Sequence, residues 1–353
     1  MVQLLEAALV VLAILVLALA AWPRLLSHLV RRRVERIERP VRYDPVLGIC
    51  ADGQPVLLHD PSYDTTVVFF DGFRIRPAAS MHREGLERLH REQRVNVLAP
   101  VLGHQSMPFR LRNRDWNHQE ECRAAAQLVQ AYKAAQGPDH QVVVVGFSWG
   151  AIHCYTLAAL GLCDSIVLIS PLPHRLDIQA RRVIRSNGIA AKSLRWLLTA
   201  IFSGRGYGLL GRVLPYYMRP GVSGGWDIAD PELRARYNRD LLNGQELRIF
   251  DVYEIVAAVG HVHAELLPRI TGTDVTVVWG RRDSMIVEPV FEDLVRAFAV
   301  LGNRTYPVPV AESAHNVLHD AGAATAWRAV ADAVVRRRET AVGAGGAAVA
   351  TSG

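Results

Sequence analysis

Ser148 is the residue of this sequence with the clearest capacity for chemistry. It stands in GFSWG, between a run of four valines and an apolar segment that no longer alternates. This pattern predicts a buried strand that turns directly into a helix. A serine on such a tight turn adopts a strained backbone, and Gly146 and Gly150 remove side chains that would collide with it. The turn would present the Ser148 hydroxyl as a nucleophile at the carboxyl edge of a sheet.

A serine nucleophile needs a general base, and the base needs a carboxylate that orients it. Asp283, in VVWGRRDSMI, comes three residues after the predicted end of a strand, and His315, in PVAESAHNVLHD, lies in the loop after the next strand. The order Ser, Asp, His is the one used with a strand–turn–helix elbow. Because each residue follows a different strand, the sequence predicts that the three meet at one edge of the sheet.

Other titratable residues fit these roles less well. Asp274 precedes its strand and so belongs to the opposite edge of the sheet. Glu312 could be a loop-capping residue, and His319 falls nearer the following helix. His261 and His263 have no strand edge that would present them. None of the five is expected to replace the acid or the base.

Acyl transfer also needs N–H donors for the developing oxyanion. One should be the backbone N–H of Trp149, and the other should come from the loop after an earlier strand. That strand ends in VVFFDGFRI, so the second donor is predicted to be the N–H of Phe73, with Gly72 allowing close approach. A plain turn at Asp71 and Gly72 would have the same backbone shape. Asp71 is unexpected there, because its carboxylate would oppose the oxyanion unless it points away or is paired.

Strand and helix patterns alternate at 41–171 and again at 269–338. Continuous apolar strands that alternate with helices are typical of a mainly parallel sheet covered on both faces, so the predicted fold class is α/β. The predicted strands are PVLLH at 55–59, TTVVFF at 65–70, VNVLAPV, QVVVVGF, SIVLIS, DVTVVWG at 274–280 and RTYPVPV at 304–310, and the predicted helices are EGLERLHRE, NHQEECRAAAQLVQAYKAA, 149–162, 287–301 and 322–338.

Two segments lack this alternation. Residues 172–268 are rich in arginine, tyrosine and glycine and show no strand pattern, and they are too long for a simple loop. They are predicted to form an inserted, mostly helical cap. Residues 339–353 are of low complexity and are predicted to be a disordered tail.

The segment 1–22 is almost entirely apolar and carries one charge, Glu6. As a helix it can span a hydrocarbon core of ~30 Å. A buried core helix is disfavoured by its length, and a cleaved signal peptide has the AxA-like site at 18–20 but no Lys or Arg before the apolar run. The arginine-rich stretch 23–40 favours an uncleaved transmembrane anchor with the body of the protein on the cytoplasmic side. That stretch reads as a solvated helix, as a contact for anionic lipid head groups, or as both.

Composition excludes several other classes of protein. The chain has 353 residues, half of them hydrophobic, and a formal net charge of +6. Its four cysteines have neither CxxC spacing nor the density of a disulfide-stapled domain. No clustered pattern of metal ligands and no nucleic-acid-binding signature is present, so neither a metal nor a nucleic acid partner is expected.

These motifs together give the chain a family likeness. With FFDGF, APVLGHQS at 99–106, GFSWG, WGRRD and SAHNVLHD in order, residues 65–320 resemble the α/β-hydrolase superfamily, and within it bacterial carboxylesterases and monoacylglycerol-lipase-like serine hydrolases. The resemblance implies an eight-stranded, mostly parallel sheet, a cap between the sixth and seventh strands, and a triad of Ser148, Asp283 and His315. Such esterases commonly have His-Gly where this chain has Asp71-Gly72, and LGHQS lacks the second glycine of the usual GHG.

The expected function is that of a membrane-anchored serine hydrolase that cleaves carboxylic esters through an acyl-enzyme, without a cofactor. Apolar stretches of the cap and the anchor point to lipid-like esters, such as monoacylglycerols or lysophospholipids, with membrane lipid as a partner. A thioesterase, an acyltransferase or a perhydrolase would use the same triad. A hydrolase-like scaffold without catalysis is the alternative from another class, but it would have no reason to keep the three residues together.

Overall fold

The computed structural model describes residues 56–73, 80–102, 118–163, 165–175, 178, 217–218, 228–239 and 247–350. The expected anchor at 1–22, the basic stretch at 23–40 and most of the predicted cap lie outside these residues. So does the end of the APVLGHQS motif, from residue 103 onward.

The described part of the chain is organised around a seven-stranded sheet of order β1-β3-β2-β4-β5-β8-β9. All neighbours pair in parallel except β1, which pairs antiparallel with β3. The expected number of eight strands is therefore wrong for these residues, because each of the seven apolar runs forms one strand and no run remained for an eighth. The strands are β1 (Val56–Leu58), β2 (Thr65–Phe70), β3 (Asn96–Ala99), β4 (Gln141–Phe147), β5 (Ser165–Ile169), β8 (Asp274–Gly280) and β9 (Arg304–Val310).

Helices cover both faces of this sheet. On one face the apolar sides of α2, α3 and α6 pack on the strands, and on the other face α1 and α7 do so. The helices are α1 (Ser80–Gln93), α2 (His118–Gln136), α3 (Ala151–Ala159), α4 (Pro231–Arg239), α5 (Ile249–His261), α6 (Glu288–Val300) and α7 (Ala323–Ala350).

The central strands are buried on both faces, which explains why their sequences are continuously apolar. Along β2, Val68 and Phe70 belong to the core under α2 and α3, whereas Val67 and Phe69 belong to the core under α1 and α7. Successive side chains of a strand point to opposite faces, so a strand between two helical layers needs an apolar residue at every position. Buried strands of this kind fix the positions of the loops at their carboxyl ends.

The predicted cap falls between β5 and β8, after the fifth of the seven described strands. Its described pieces include α4, α5 and a two-residue antiparallel pair, β6 (Tyr217–Met218) with β7 (Leu247–Arg248). No strand was expected here, because a two-residue pairing leaves no alternation in the sequence. Ile228, just before α4, is buried against the core.

The last helix is longer than the sequence predicted. It continues to Ala350, through most of the segment expected to be a disordered tail. Alanine is the strongest helix former, and residues 339–350 contain five alanines beside three glycines. Within the residues that the structure describes, no helix combines the length and apolarity needed to cross a bilayer.

Candidate active site

Ser148 sits on the tight strand-to-helix turn that the sequence predicted. β4 leads through a single 3-10 turn, Ser148–Gly150, into α3. Ser148 has a φ of 50°, in the left-handed region that residues with a side chain rarely adopt. The strained backbone turns the hydroxyl away from the strand, toward the loops at the carboxyl edge of the sheet.

The two glycines of the motif are needed for close packing around this turn. A Cβ at Gly146 would lie 2.6 Å from Cys154 Sγ and 2.7 Å from the backbone nitrogen of Ala151. A Cβ at Gly150 would collide with the backbone carbonyls of Phe70 and Asp71. Gly150 therefore lets the nucleophile turn lie directly against the end of β2, where the second oxyanion donor was expected.

The structure brings Ser148, His315 and Asp283 together in one chain of polar contacts. His315 Nε2 lies 3.0 Å from Ser148 Oγ, and His315 Nδ1 lies 2.7 Å from Asp283 Oδ2. The side chains of His315 and Asp283 are 6% and 1% exposed. The three residues follow β4, β9 and β8, so strands that are distant in sequence position them at one edge. This arrangement can orient an imidazole to take a proton from a serine hydroxyl.

The other oxygen of Asp283 is held by its own loop. Asp283 Oδ1 accepts hydrogen bonds from the backbone nitrogens of Met285 and Ile286, both at 2.8 Å. These bonds fix the carboxylate, so that Oδ2 faces the imidazole. The loop itself is tied to that of His315, because Arg282 N donates to Ser313 O at 2.9 Å.

Asp320 organises the His315 loop, a role that no pattern in the sequence indicated. Its Oδ2 accepts a hydrogen bond from the N–H of Ala314 at 2.8 Å, and its Oδ1 accepts one from Ala321 at 2.9 Å. The same carboxylate also accepts bonds from Ala229 at 2.7 Å and Asp230 at 3.0 Å, in the cap segment. Asp320 is in the quoted motif SAHNVLHD, but no sequence signal connects it with residues 90 positions earlier.

Asp71, at the end of β2, is buried and paired. Its Oδ2 lies 2.6 Å from His82 Nδ1, and both side chains are completely buried. Its Oδ1 accepts a hydrogen bond from the N–H of Gly72 at 2.6 Å. A carboxylate at this position was expected either to point away from the oxyanion or to be paired, and Asp71 is paired.

The two residues predicted to supply oxyanion donors are neighbours in the structure. Phe73 and Trp149 have ring centroids 5.7 Å apart in an edge-to-face arrangement. The indole of Trp149 is buried and donates to Glu121 Oε2 at 3.4 Å. Their ring contact joins the loop after β2 to the nucleophile turn. The role of their backbone N–H groups stays a prediction.

The rival acids and bases lie elsewhere. Asp274 begins β8 and pairs with Arg304 through bonds of 2.6 and 2.8 Å, at the edge opposite Ser148. Glu312 is exposed. His261 lies 3.7 Å from Glu265 in the cap region.

The other two rival histidines, His263 and His319, lie beside other histidine rings. His263 is beside His174, with ring centroids 6.4 Å apart. His319 is buried with its ring 4.0 Å from that of His82. Burial first, and then the neighbouring His82, hold the pKa of His319 well below its usual value. Among the described residues, no group of three or more His, Cys, Asp or Glu side chains could hold a metal ion.

Comparison with known proteins places this geometry in a family. A sequence model of the alpha/beta hydrolase family matches residues 56–333. A carboxyl esterase from Bacillus coagulans has a TM-score of 0.58 at 14% identity over 85% of this chain and 98% of that chain. A monoacylglycerol lipase from Paleococcus ferrophilus has a TM-score of 0.55 at 14% identity over 80% and 98%. A monoglyceride lipase from Saccharomyces cerevisiae has a TM-score of 0.53 at 11% identity over 78% and 88%.

Curated protein sequences give no significant match. At the identities above, the structural likeness concerns the fold alone. The family match covers most of the chain, including the loops that carry Ser148, Asp283 and His315. The chain therefore belongs to the alpha/beta hydrolase family, as its sequence predicted.

Proposed function

We propose that this protein is a serine hydrolase that cleaves carboxylic esters, with Ser148 as nucleophile, His315 as general base and Asp283 as the carboxylate that orients the base. The observation that carries the proposal is the 3.0 Å approach of His315 Nε2 to Ser148 Oγ, with Asp283 Oδ2 at the other ring nitrogen. A nucleophile, a base within hydrogen-bond reach and an orienting group for the base are the parts that covalent acyl transfer needs.

The reaction has two steps. Ser148 Oγ attacks the ester carbonyl carbon while His315 Nε2 takes the hydroxyl proton, and the same proton then passes to the departing alcohol oxygen. Water next gives a proton to His315 and attacks the acyl carbon of the acyl-enzyme. His315 then returns the proton to Ser148 Oγ as the bond between that oxygen and the acyl carbon breaks, which releases the carboxylic acid and restores the serine. The Asp283 carboxylate stabilises the imidazolium in both steps, with its second oxygen occupied by the backbone N–H groups of Met285 and Ile286.

The oxyanion of each tetrahedral intermediate is proposed to bind the backbone N–H groups of Phe73 and Trp149. The close packing of Gly150 on the end of β2 supports this, because it holds the two loops together without an intervening side chain. Fixed N–H donors stabilise a charge that develops only in the transition state, so they raise the rate of the chemical step.

The proposed substrates are lipid-like esters such as monoacylglycerols or lysophospholipids, and the proposed location is a membrane with the catalytic domain on the cytoplasmic side. Two features of the sequence support this: the apolar segment 1–22 followed by arginines, and the apolar stretches LRWLLTAIF and YGLLGRVLPYYM in the cap. Two proteins of similar fold carry the names monoacylglycerol lipase and monoglyceride lipase, which is consistent with this substrate class.

The substrate proposal is tested by product analysis. Purified full-length protein is given a monoacylglycerol, a lysophospholipid and an acyl thioester, each with and without a competing alcohol, and the free acid and transferred ester are quantified. Release of free acid from the two esters that is lost in Ser148→Ala is expected. Faster cleavage of the thioester, or transfer to the alcohol as the main outcome, would assign the site to a thioesterase or an acyltransferase.

The location is tested separately. Protease added to intact cells should leave the catalytic domain undigested, and the protein should sediment with membranes. Removal of residues 1–22 should release it into the soluble fraction with its esterase activity retained. Digestion from outside, or sedimentation that does not depend on 1–22, would contradict the proposed anchor.

A further inference from the structure

A completely buried pair of opposite charge types lies directly beside the proposed oxyanion loop. Asp71 Oδ2 and His82 Nδ1 are 2.6 Å apart. The angles at this contact are outside the range of a hydrogen bond. Attraction between opposite charges therefore explains the short distance better than a hydrogen bond does. The second carboxylate oxygen of Asp71 holds the N–H of Gly72, the residue before the proposed donor Phe73. The carboxylate is thus separated from the donor by one residue.

His82 comes from α1 and reaches the site through the core. Its ring contacts those of Phe69 in β2 and Phe147 in β4, with centroids 5.7 and 6.0 Å away, on the strands that end just before Asp71 and Ser148. It also meets the ring of His319 edge-on at 4.0 Å. Hydrogen-bond partners for either ring nitrogen of His82 are absent from the described part of the chain.

In the part of the chain that the structure describes, the other titratable groups near this pair do not supply a positive charge to Asp71. His319 has its pKa held well below the usual value by burial and by His82, so it is neutral. Arg236 of α4 is half-exposed and pairs at 2.6 Å with Glu84, which lies on α1 near the surface. Among the described residues, His82 is therefore the cation that faces this buried carboxylate.

An ionised carboxylate buried without a partner is costly, and beside an oxyanion it would also raise the energy of the transition state. We propose that His82 is protonated on Nδ1 and acts as the counter-ion of Asp71, so that the pair presents no net charge to the oxyanion. Asp71 and His82 are in this account positioning residues, because they act through the N–H of Gly72 and the adjoining donor. This inference rests on the proposed function.

The account predicts that the two members of the pair are unequal. His82→Asn keeps an N–H near the position of Nδ1 but removes the positive charge, so the charge of Asp71 is no longer balanced. Asp71→Asn keeps an oxygen for the N–H of Gly72 and removes the negative charge, and a histidine without its counter-ion can release its proton. His82→Asn alone should impair catalysis. Adding Asp71→Asn to it should restore catalysis.

The test is a double-variant cycle on the full-length enzyme. Wild type, Asp71→Asn, His82→Asn, the double variant and His90→Asn are compared by kcat and KM for a soluble ester, at neutral and at alkaline pH, where a buried unpaired carboxylate is ionised. His90 is the matched control, because it lies on the same helix but its ring contacts the carbonyl oxygen of Val95, at 2.6 Å, and the ring of Tyr63. Thermal unfolding of each variant reports on its folding.

The expected result is a fall in kcat of about 10-fold or more for His82→Asn at alkaline pH, with little change in KM, since the effect is on the transition state. The double variant should return to the kcat of Asp71→Asn, which stays within a few-fold of wild type. A double variant as slow as His82→Asn, or a His82→Asn that behaves like His90→Asn, would overturn the inference.

If His82→Asn does not fold, Asp71→Asn decides the matter. A drop in its kcat of about 10-fold or more would overturn the inference, whereas near wild-type turnover supports it. Ser148→Ala is assayed alongside. If Ser148→Ala turns over the ester as fast as wild type, the proposed function itself is wrong. If Ser148 is required but the results for Asp71 and His82 disagree with expectation, only the inference about the charge pair is wrong.

Discussion

Asp320 Oδ2 lies 2.8 Å from the backbone nitrogen of Ala314, the residue before the proposed base. The same carboxylate accepts bonds from Ala229 and Asp230 of the cap segment, and it is 2% exposed. One buried side chain therefore fixes the loop of His315 and anchors a piece of the cap to it. Under the proposed function, Asp320 would affect catalysis through the position of the imidazole.

Replacement of Asp320 should destabilise the protein and reduce its turnover. Asp320→Ala removes the acceptor of four backbone N–H groups and should lower the free energy of unfolding by about 3–5 kcal/mol, and Asp320→Asn by about 2 kcal/mol. Denaturant unfolding and ester kinetics measure the two effects. Asp332→Asn, an exposed aspartate on α7, is the control. Equal stability of Asp320→Ala and the control would contradict the anchoring role.

Gly150→Ala should disrupt the contact between the nucleophile turn and the end of β2. Its Cβ would collide with backbone carbonyls, which cannot move aside as a flexible side chain can. We expect the free energy of unfolding to fall by about 3 kcal/mol and activity to be lost in the fraction that folds.

Gly260→Ala is the matched control for that variant. Gly260 lies in α5, and a Cβ there would meet no atom within 4 Å. Alanine is favoured over glycine in a helix by about 1 kcal/mol, so this variant should be slightly more stable than wild type and fully active. Similar losses in the two variants would mean that the packing at Gly150 has no special role.

The left-handed backbone of Ser148 should make glycine the more stable replacement. At a φ of 50°, a residue with a side chain costs about 1 kcal/mol or more in backbone strain. The free energy of unfolding of Ser148→Gly should therefore be higher than that of Ser148→Ala by about that amount. At Ala124, exposed in the middle of α2, Ala→Gly should have the opposite sign, with a loss of about 1 kcal/mol. Chemical denaturation of the four proteins checks both signs. A more stable alanine variant at 148 would be inconsistent with backbone strain.

Buried His319 should make the protein less stable toward acid. Its pKa is lowered well below the usual value in the folded state, so between about pH 7 and pH 5 the unfolded chain binds a proton that the native protein excludes. Because the unfolded state binds more protons, the free energy of unfolding falls as pH falls, by at most ~1.4 kcal/mol per pH unit for this group.

His319→Gln removes this proton binding from the unfolded chain. Its free energy of unfolding should therefore depend less on pH over that interval than that of wild type. The exposed His59→Gln serves as the control for loss of a histidine. Unfolding curves measured at several pH values give the slopes, and identical slopes for wild type and His319→Gln would be evidence against a neutral buried imidazole.

Local patterns in the sequence predicted which residues meet at the candidate site, but not the buried side chains that hold its loops. Ser148, Asp283 and His315 each follow an apolar run that forms a strand, so the period of the pattern and the parallel pairing bring them to one edge. The partners of Asp71 and Asp320 could not be predicted, because His82 reaches Asp71 from a helix and two of the four bonds of Asp320 come from residues about 90 positions earlier. The short pair β6–β7 and the extent of α7 depend on packing and on alanine content, which leave no periodic signal.

The proposed activation of Ser148 by His315 is tested by covalent labelling with a fluorophosphonate probe. The probe is applied to wild type, Ser148→Ala, His315→Ala and His319→Gln, in membranes and in the soluble fraction, and the adduct is located by mass spectrometry of peptides. We expect an adduct on Ser148 in wild type and in His319→Gln. No adduct is expected in Ser148→Ala or His315→Ala. Labelling of another residue, or labelling of folded protein at Ser148 that persists without His315, would contradict it.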